Sequence, residues 1–319
     1  MEQTVPHDCD VLVIGRNCVD TIWSLERFPA ENQKAPLSFE CREGGGQGGT
    51  SACCVSALGG RVALKGLVGD DSQGNFCRRR LQDFKVSTQH LQSVKNAKTP
   101  TAQIFVTRVS GRRTILYEPS TLPKICLDVD DNQLLQTANV ILLDPETTYL
   151  VDRVSALKSP QSVLVYDCER WREKVDRMMQ AADYFIPSSD FLDSPQLAFN
   201  NLPRMQKIRR LQEKIKGQLV VTAGSEGAFF PHQGNLFHVA APAVDVVDTT
   251  GAGDNFHGAF ALAVARGFDL FHSVRFAVAV ASLSCRAFGG RNALPSLQQA
   301  LQTADMLEIE AIASASVAF

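Results

Sequence analysis

The chain has 319 residues and a mass of 34.8 kDa, enough for one large α/β domain with an appendage, or for two domains, at roughly 150 residues per domain. Apolar residues make up 45% and charged residues 21%, and 32 basic against 34 acidic side chains leave a net charge of −2. That balance excludes a disordered chain, a nucleic-acid footprint and a polybasic membrane patch.

Met1 to Asp10 is polar and acidic, without the basic and apolar regions of a signal peptide. Val11 to Ile14, followed by Gly15, reads as a buried strand entering a turn. Thr21 to Leu25 and Leu37 to Cys41 roughly alternate, as half-exposed strands do. A glycine cluster, Gly44 to Gly49, precedes a small-residue helix from Thr50 to Leu58, which Gly59-Gly60 stops. Arg61 to Val68 reads as a strand and Ser72 to Phe84 as a helix. Ala102 to Val109 and Thr114 to Tyr117 alternate again, with the turn of a hairpin at Ser110 to Arg113.

From about residue 130 short apolar runs alternate with helical stretches: Val140 to Leu143, Val163 to Tyr166, Tyr184 to Ile186 and Leu219 to Val221. This rhythm predicts an α/β fold, a mostly parallel central sheet flanked by helices. Helices are predicted over Gly251 to Gly267, Leu270 to Phe288 and Ser296 to about Glu310. The apolar stretch Phe256 to Cys285 is broken by Arg266, Asp269 and Arg275, so it reads as two helices and not a membrane span. The alternating segments 16–42 and 100–118 belong to no βαβ unit. They are expected to pair as a small β-sheet lid over the carboxyl ends of the parallel strands, within a single domain over 1–319. Nine cysteines without a C-x-x-C pair read as reduced, mostly buried thiols in a cytoplasmic protein.

The string Asp248-Thr249-Thr250-Gly251-Ala252-Gly253-Asp254 opens a long apolar helix. Gly251 and Gly253 strip side chains from the helix start and expose backbone N–H groups to an anion. Asp254, one turn inside, suits a general base for a hydroxyl that attacks a phosphoryl group held nearby. A well-capped turn would explain a bare G-x-G-D, but not the whole string. The chain resembles the ribokinase-like (PfkB) carbohydrate kinases along essentially its whole length. The likeness rests on Gly15…Asp20, Gly45-Gly46, Leu67 to Gly74, Thr222 to Gly227, the Asp248–Asp254 string and Gly289-Gly290, in the family's order.

That resemblance implies an ATP-dependent, magnesium-requiring kinase of a small sugar, with Asp254 as catalytic base. It implies an anion hole from the backbone of Gly251, Ala252 and Gly253. Sugar contacts are implied for Asn17, Asp20, Gly45, Gly46, Gln47 and Thr50, with Asp144 a candidate at a strand's carboxyl end. Ser188, Thr222, Gly224, Ser225 and Gly227 fall on the nucleotide side. Asp248, Thr250 and Gly290 correspond to residues that hold a monovalent cation, potassium, in some members. Two departures stand out: Thr50 replaces a common Asn, and Ser188-Ser189-Asp190-Phe191 replaces the N-x-x-E string linked to magnesium and phosphate. Asp190 is expected to substitute for the Glu through water.

The run Gly44 to Gly49 also satisfies G-x-G-x-x-G, with Asp70 about 20 residues on, as in dinucleotide folds. It follows an amphipathic strand, however, and that reading leaves the string at 248–254 unexplained. No Gly-Lys pair exists, so there is no P-loop. The run Val246 to Arg291 is closest to members acting on ketoses or their anionic derivatives, sulfofructose kinase among them. Arg16, Arg108, Arg112 and Arg113 lie on or beside the lid, where an inward guanidinium suits an anionic substrate and an outward one is merely solvated. A nucleoside kinase with Trp23 or Phe39 walling the base, and a non-catalytic sugar- or nucleotide-binding regulator, are the alternatives. Exposed lid edges predict a homodimer through the lid.

Overall fold

The computed structural model describes residues 9–109 and 111–312. Most of the amino-terminal segment read for a leader, and Ser110 of the predicted hairpin turn, lie outside the described residues. In chain order the strands are β1 (Val11–Ile14), β2 (Cys18–Leu25), β3 (Ser38–Gly45), β4 (Val62–Gly69), β5 (Leu91–Val94), β6 (Thr101–Thr107), β7 (Arg113–Tyr117), β8 (Val140–Leu143), β9 (Val163–Cys168), β10 (Tyr184–Pro187), β11 (Gln218–Leu219), β12 (Val221–Thr222), β13 (Ala228–His232), β14 (Asn235–Val239) and β15 (Ile309–Ile312). The helices are α1 (Gln47–Ala57), α2 (Ser72–Asp83), α3 (Asp130–Thr137), α4 (Val151–Leu157), α5 (Val175–Ala181), α6 (Arg204–Gln212), α7 (Ala252–Ala265), α8 (Leu270–Ser284) and α9 (Leu297–Asp305).

Seven parallel strands form the central sheet in the order β11-β10-β9-β8-β1-β4-β5. Its inner strands are largely apolar because both faces are covered, with Lys65 of β4 and Asp167 of β9 as buried exceptions. Val11 and Val13 of β1 join Val140 and Leu142 of β8 in a core shared with α1, α7 and α8. Leu12, Ile14, Ile141 and Leu143 point the other way, into a core with α3 to α6. One strand register thus feeds two cores, as the two-residue side-chain period requires.

The two alternating segments do form one separate sheet, in the order β3-β2-β6-β7. Its outer pairs are antiparallel, while β2 and β6 run parallel from Val19 opposite Thr101 to Leu25 opposite Thr107. Ile22, Ala102, Ile104 and Val106 make its small core. A third sheet, β12-β13-β14-β15, is absent from the sequence reading. Its β13–β14 hairpin turns on Gln233 and Gly234, both at positive φ, the conformation that a two-residue loop demands. The predicted strand Leu219 to Val221 is split, because the chain leaves β10 after Val220 and pairs with β13 from Val221. The last predicted helix is shorter than expected. It ends at Asp305, and β15 then closes the third sheet against β14.

Among the described residues, no helix is long and apolar enough to cross a membrane. Of the nine cysteines seven are buried, Cys41 is half-buried and Cys126 is exposed.

Candidate active site

The carboxyl ends of β1, β9 and β10, the inner face of the lid and the start of α7 converge on a cleft of about 500 Å³. Asp20, Gly46 and Gln47 line it, as do Ser188 and Thr222. Thr250, Gly251, Gly253 and Asp254 line the same cleft. Residues more than 200 positions apart in sequence are thus gathered at one sheet edge, where parallel α/β folds place their ligands.

The loop before α7 is held from inside. Asp248 is buried, and its Oδ1 accepts from the Thr250 backbone N–H at 2.9 Å and hydroxyl at 2.7 Å. Its Oδ2 accepts from the Gly289 N–H at 2.9 Å. Gly251, at φ 74°, packs against Gly290, where a Cβ would lie 2.8 Å from the Gly290 Cα. A Cβ on Gly253 would meet nothing within 4 Å. The helix start therefore presents bare backbone to open space, the feature an anion needs. Asp254 follows on the first turn of the 14-residue α7. Burial and then the nearby Asp167 carboxylate push it up to about 7, while His257 and Arg113 pull it down.

The acceptor side is shaped by close approach. The Asp20 carboxylate lies over Gly45, and a Cβ there would be 2.0 Å from Oδ2. The Cys18 thiol donates to Asp20 Oδ1 at 3.1 Å, and burial pushes Asp20 above the usual carboxylate range. Thr50 does not line the cleft. It is buried behind the anion loop, with its methyl 3.1 Å from the position of a Gly251 Cβ. Asn17 is buried on an adjoining pocket of about 320 Å³, and neither of its side-chain polar atoms has a hydrogen-bond partner. Asp144 is likewise not on the cleft. Its Oδ2 accepts from the Arg16 N–H at 2.5 Å and its Oδ1 from the Glu146 N–H at 3.0 Å, so it ties the β1 turn to the turn after β8.

Gly224, Ser225 and Gly227 form the turn that follows Thr222. The turn is braced by Arg204, whose two terminal nitrogens each donate to a Glu226 oxygen at 2.6 Å.

Four residues of the site escaped the sequence reading. Asp167 ends β9 as Asp144 follows β8, and the same strand-end signal applied to both; it is buried and lines the cleft. His257 also lines the cleft. Glu146 receives Arg16 at 2.8 Å and Arg172 at 2.6 Å. Arg291, taken only as a mark of subgroup, is buried under the glycine loop and donates to the Gly45 carbonyl at 2.9 Å. Of the lid arginines, Arg16 and Arg113 line the cleft, whereas Arg108 bonds to Ser24 and pairs with Glu40. Trp23 and Phe39 pack edge-on at 5.2 Å and do not line the cleft; Ile104, Ile115 and Tyr117 do.

Residues 9–297 match the model of the pfkB family carbohydrate kinases. The chain belongs to that family. It is accordingly a carbohydrate kinase, a phosphotransferase with an alcohol group as acceptor. It is 28% identical over 308 residues to a ribokinase of Lactococcus lactis, covering 94% of this chain and 98% of the relative. It is 27% identical over 304 residues to a deoxyribokinase of Salmonella typhimurium, covering 91% and 97%. Among solved structures, Arabidopsis thaliana ribokinase complexed with ribose and ATP matches with a TM-score of 0.75 at 24% identity, over 93% of this chain and 98% of that one. Ribokinase from Giardia lamblia matches at 0.79 with 19% identity, over 93% and 99%. An E. coli structure in complex with ATP and Mg²⁺ matches at 0.74 with 20% identity, over 93% and 99%. The fold of this kinase is ribokinase-like, lid included.

Proposed function

We propose that this kinase transfers the γ-phosphoryl group of ATP to a primary hydroxyl of a sugar, with Asp254 as general base. The observation that carries the reading is the shared cleft: Asp254 sits in the first turn of a helix whose glycine-stripped start is open at Gly253, and it lines one cleft with Asp20 and Gly46. ATP enters from the side of Ser188, Thr222 and the turn Gly224, Ser225 and Gly227. The sugar lies against Asp20, Gly45, Gly46 and Gln47. Its hydroxyl loses a proton to Asp254 as the oxygen forms its bond to the γ-phosphorus, and the bond to ADP breaks. Backbone N–H groups of Gly251, Ala252 and Gly253 face the charge that develops, and lid residues exclude water.

Among the described residues no cluster of three or more His, Cys, Asp or Glu can hold a metal ion. Magnesium would be carried largely by nucleotide phosphates and water, the usual habit of this ion. Magnesium bound with ATP would neutralise phosphate charge. A potassium ion beside the anion loop would take oxygens from Asp248, Thr250 and Gly290, around the turn that Asp248 already knits together. Mostly buried cysteines with no C-x-x-C spacing support a reducing, cytoplasmic setting. The exposed lid side chains Phe39 and Leu116, which do not line the cleft, support a homodimer through the lid. Lid and catalytic body act as one domain, because the lid segments are insertions after β1 and β5.

The test is ATP consumption with a panel of pentoses, ketoses, ketohexonates, sugar phosphates and nucleosides, beside Asp254→Asn. Turnover on a sugar, lost in the variant, supports the reading. ATP binding without turnover on any acceptor overturns it in favour of a sensor.

A further inference from the structure

A second group of ionisable side chains lies beside Asp254, and transfer to the sugar does not require it as an acceptor or donor. His257 sits three residues along α7. Its Nδ1 is 2.6 Å from the Gly253 carbonyl oxygen, and its Nε2 is 3.2 Å from the Ile186 carbonyl oxygen. The same Nε2 is 3.5 Å from Oδ1 of Asp167. Both His257 and Asp167 are buried. Among the described residues Asp167 has no other ion-pair partner within 4 Å.

A carbonyl oxygen only accepts hydrogen bonds, so each ring nitrogen faces an atom that requires an N–H. A neutral imidazole carries just one N–H; the doubly protonated ring carries two. Only the imidazolium satisfies both contacts, and Asp167 is its counter-charge. Burial holds the ring below the ordinary imidazole range, against the pull of the Ile186 and Gly253 carbonyls and the Asp254 carboxylate, so it is the two carbonyl contacts that call for the second N–H. The balance matters to Asp254, which is faced by Asp167 from β9, Asp20 from β2, His257 from its own helix and Arg113 from the lid. Asp167 in turn is pushed well above the usual carboxylate range by burial and by Asp144 and Glu169, with Arg172 opposing, so its ionised form needs a positive partner. Left uncompensated, Asp167 would favour the protonated form of Asp254, which cannot serve as a base.

We propose that His257 is a positioning residue: paired as an imidazolium with Asp167, it cancels the carboxylate that faces the base and keeps Asp254 competent to accept a proton. The proposal rests on Asp254 being the base. Neither His257 nor Asp167 gains or loses a proton in the transfer itself.

The experiment is the pH profile of kcat/KM for the wild type, His257→Gln and Asp167→Asn, with folding checked by the rise in melting temperature on adding ATP. His257→Gln moves the acid limb to higher pH by about one unit, and Asp167→Asn moves it to lower pH by a similar amount. A purely structural role lowers activity alike at every pH. Unmoved limbs, or limbs that move in the same direction, overturn the proposal. Should a variant fail to fold, nitrogen-15 NMR of the wild-type ring decides: two protonated ring nitrogens at neutral pH support the pairing, and a single one overturns it. Asp254→Asn separates the two readings. If it still turns over, the base assignment falls. If it is inactive while the limbs stay put, only the pairing falls.

Discussion

Gly45 leaves the space that the Asp20 carboxylate occupies: a Cβ at Gly45 would sit 2.0 Å from Oδ2 of Asp20. The two residues belong to neighbouring antiparallel strands of the lid sheet, where Asp20 pairs with Glu43 and Cys18 with Gly45. Gly45→Ala is expected to turn the carboxylate out of its place while leaving the nucleotide side untouched. The acceptor KM should rise roughly 10- to 100-fold, the range that a misplacement of about 1 Å produces. The KM for ATP should stay within twofold of wild type. Steady-state kinetics with each substrate varied in turn checks this.

Asp254→Asn should lower kcat by about 10²- to 10⁴-fold, the usual contribution of a positioned base. The melting-temperature rise on adding ATP should survive, because the anion loop is backbone.

The same group sets a pH dependence. Asp254 is held up to about 7, far above its unfolded value, and only its ionised form accepts a proton. Activity should therefore fall as pH drops through about 7. The stability effect runs the other way. A carboxyl that binds its proton more tightly in the folded state destabilises the fold above its unfolded value, increasingly so up to about pH 7. Asp254→Asn should consequently melt higher than wild type at pH about 8 and show little difference near pH 4. Scanning calorimetry at the two pH values reads both signs.

Arg113 of the lid donates to the Thr249 hydroxyl at 2.9 Å and so joins the lid to the anion loop. Replacing it with Ala removes that tether and a positive charge facing Asp254. kcat/KM should fall about tenfold or more, in keeping with one lost charge-assisted bond. ATP hydrolysis without acceptor should rise relative to transfer, because the lid no longer seats to exclude water. Coupled assays of phosphate release and sugar phosphate formation measure the ratio.

The lid's outer strand β7 is exposed along its whole length, and Leu116, unlike Ile115 and Tyr117, does not line the cleft. Sedimentation at micromolar protein should show a dimer. Leu116→Glu should shift it to monomer, since a buried charge opposes association. A wild-type monomer across that range would exclude the lid interface.

Much of this was legible because it is periodic or local. The buried run Val11 to Ile14 and its partner Val140 to Leu143 could only be central strands, and the helix start at Gly251 announced itself by composition. Asp254, Asp20 and Gly46 reach one cleft as their motifs suggested. What stayed hidden depends on contacts distant in sequence. Thr50 turned out to brace the anion loop from behind, because α1 begins at Gln47 and carries it inward. Asp144 and Asp167 look alike in sequence, each at a strand's carboxyl end. Only packing reveals that one is consumed by backbone donors and the other is left facing the cleft. Arg291 comes under the glycine loop from nearly 250 residues away, a distance no local pattern encodes.

The parallel pairing of β2 with β6 has a consequence for how the molecule assembles. Val19 meets Thr101 across the chain of β3, α1, β4, α2 and β5, so the lid cannot close its own hydrogen-bond ladder as a local hairpin unit would. The entropy of closing that long loop is met only once β1 and β4 are side by side. The lid should therefore be the last sheet to form on refolding and the first to lose amide protection under mild denaturant. In a nascent chain β2 stays without its parallel partner until the whole of β6 has emerged.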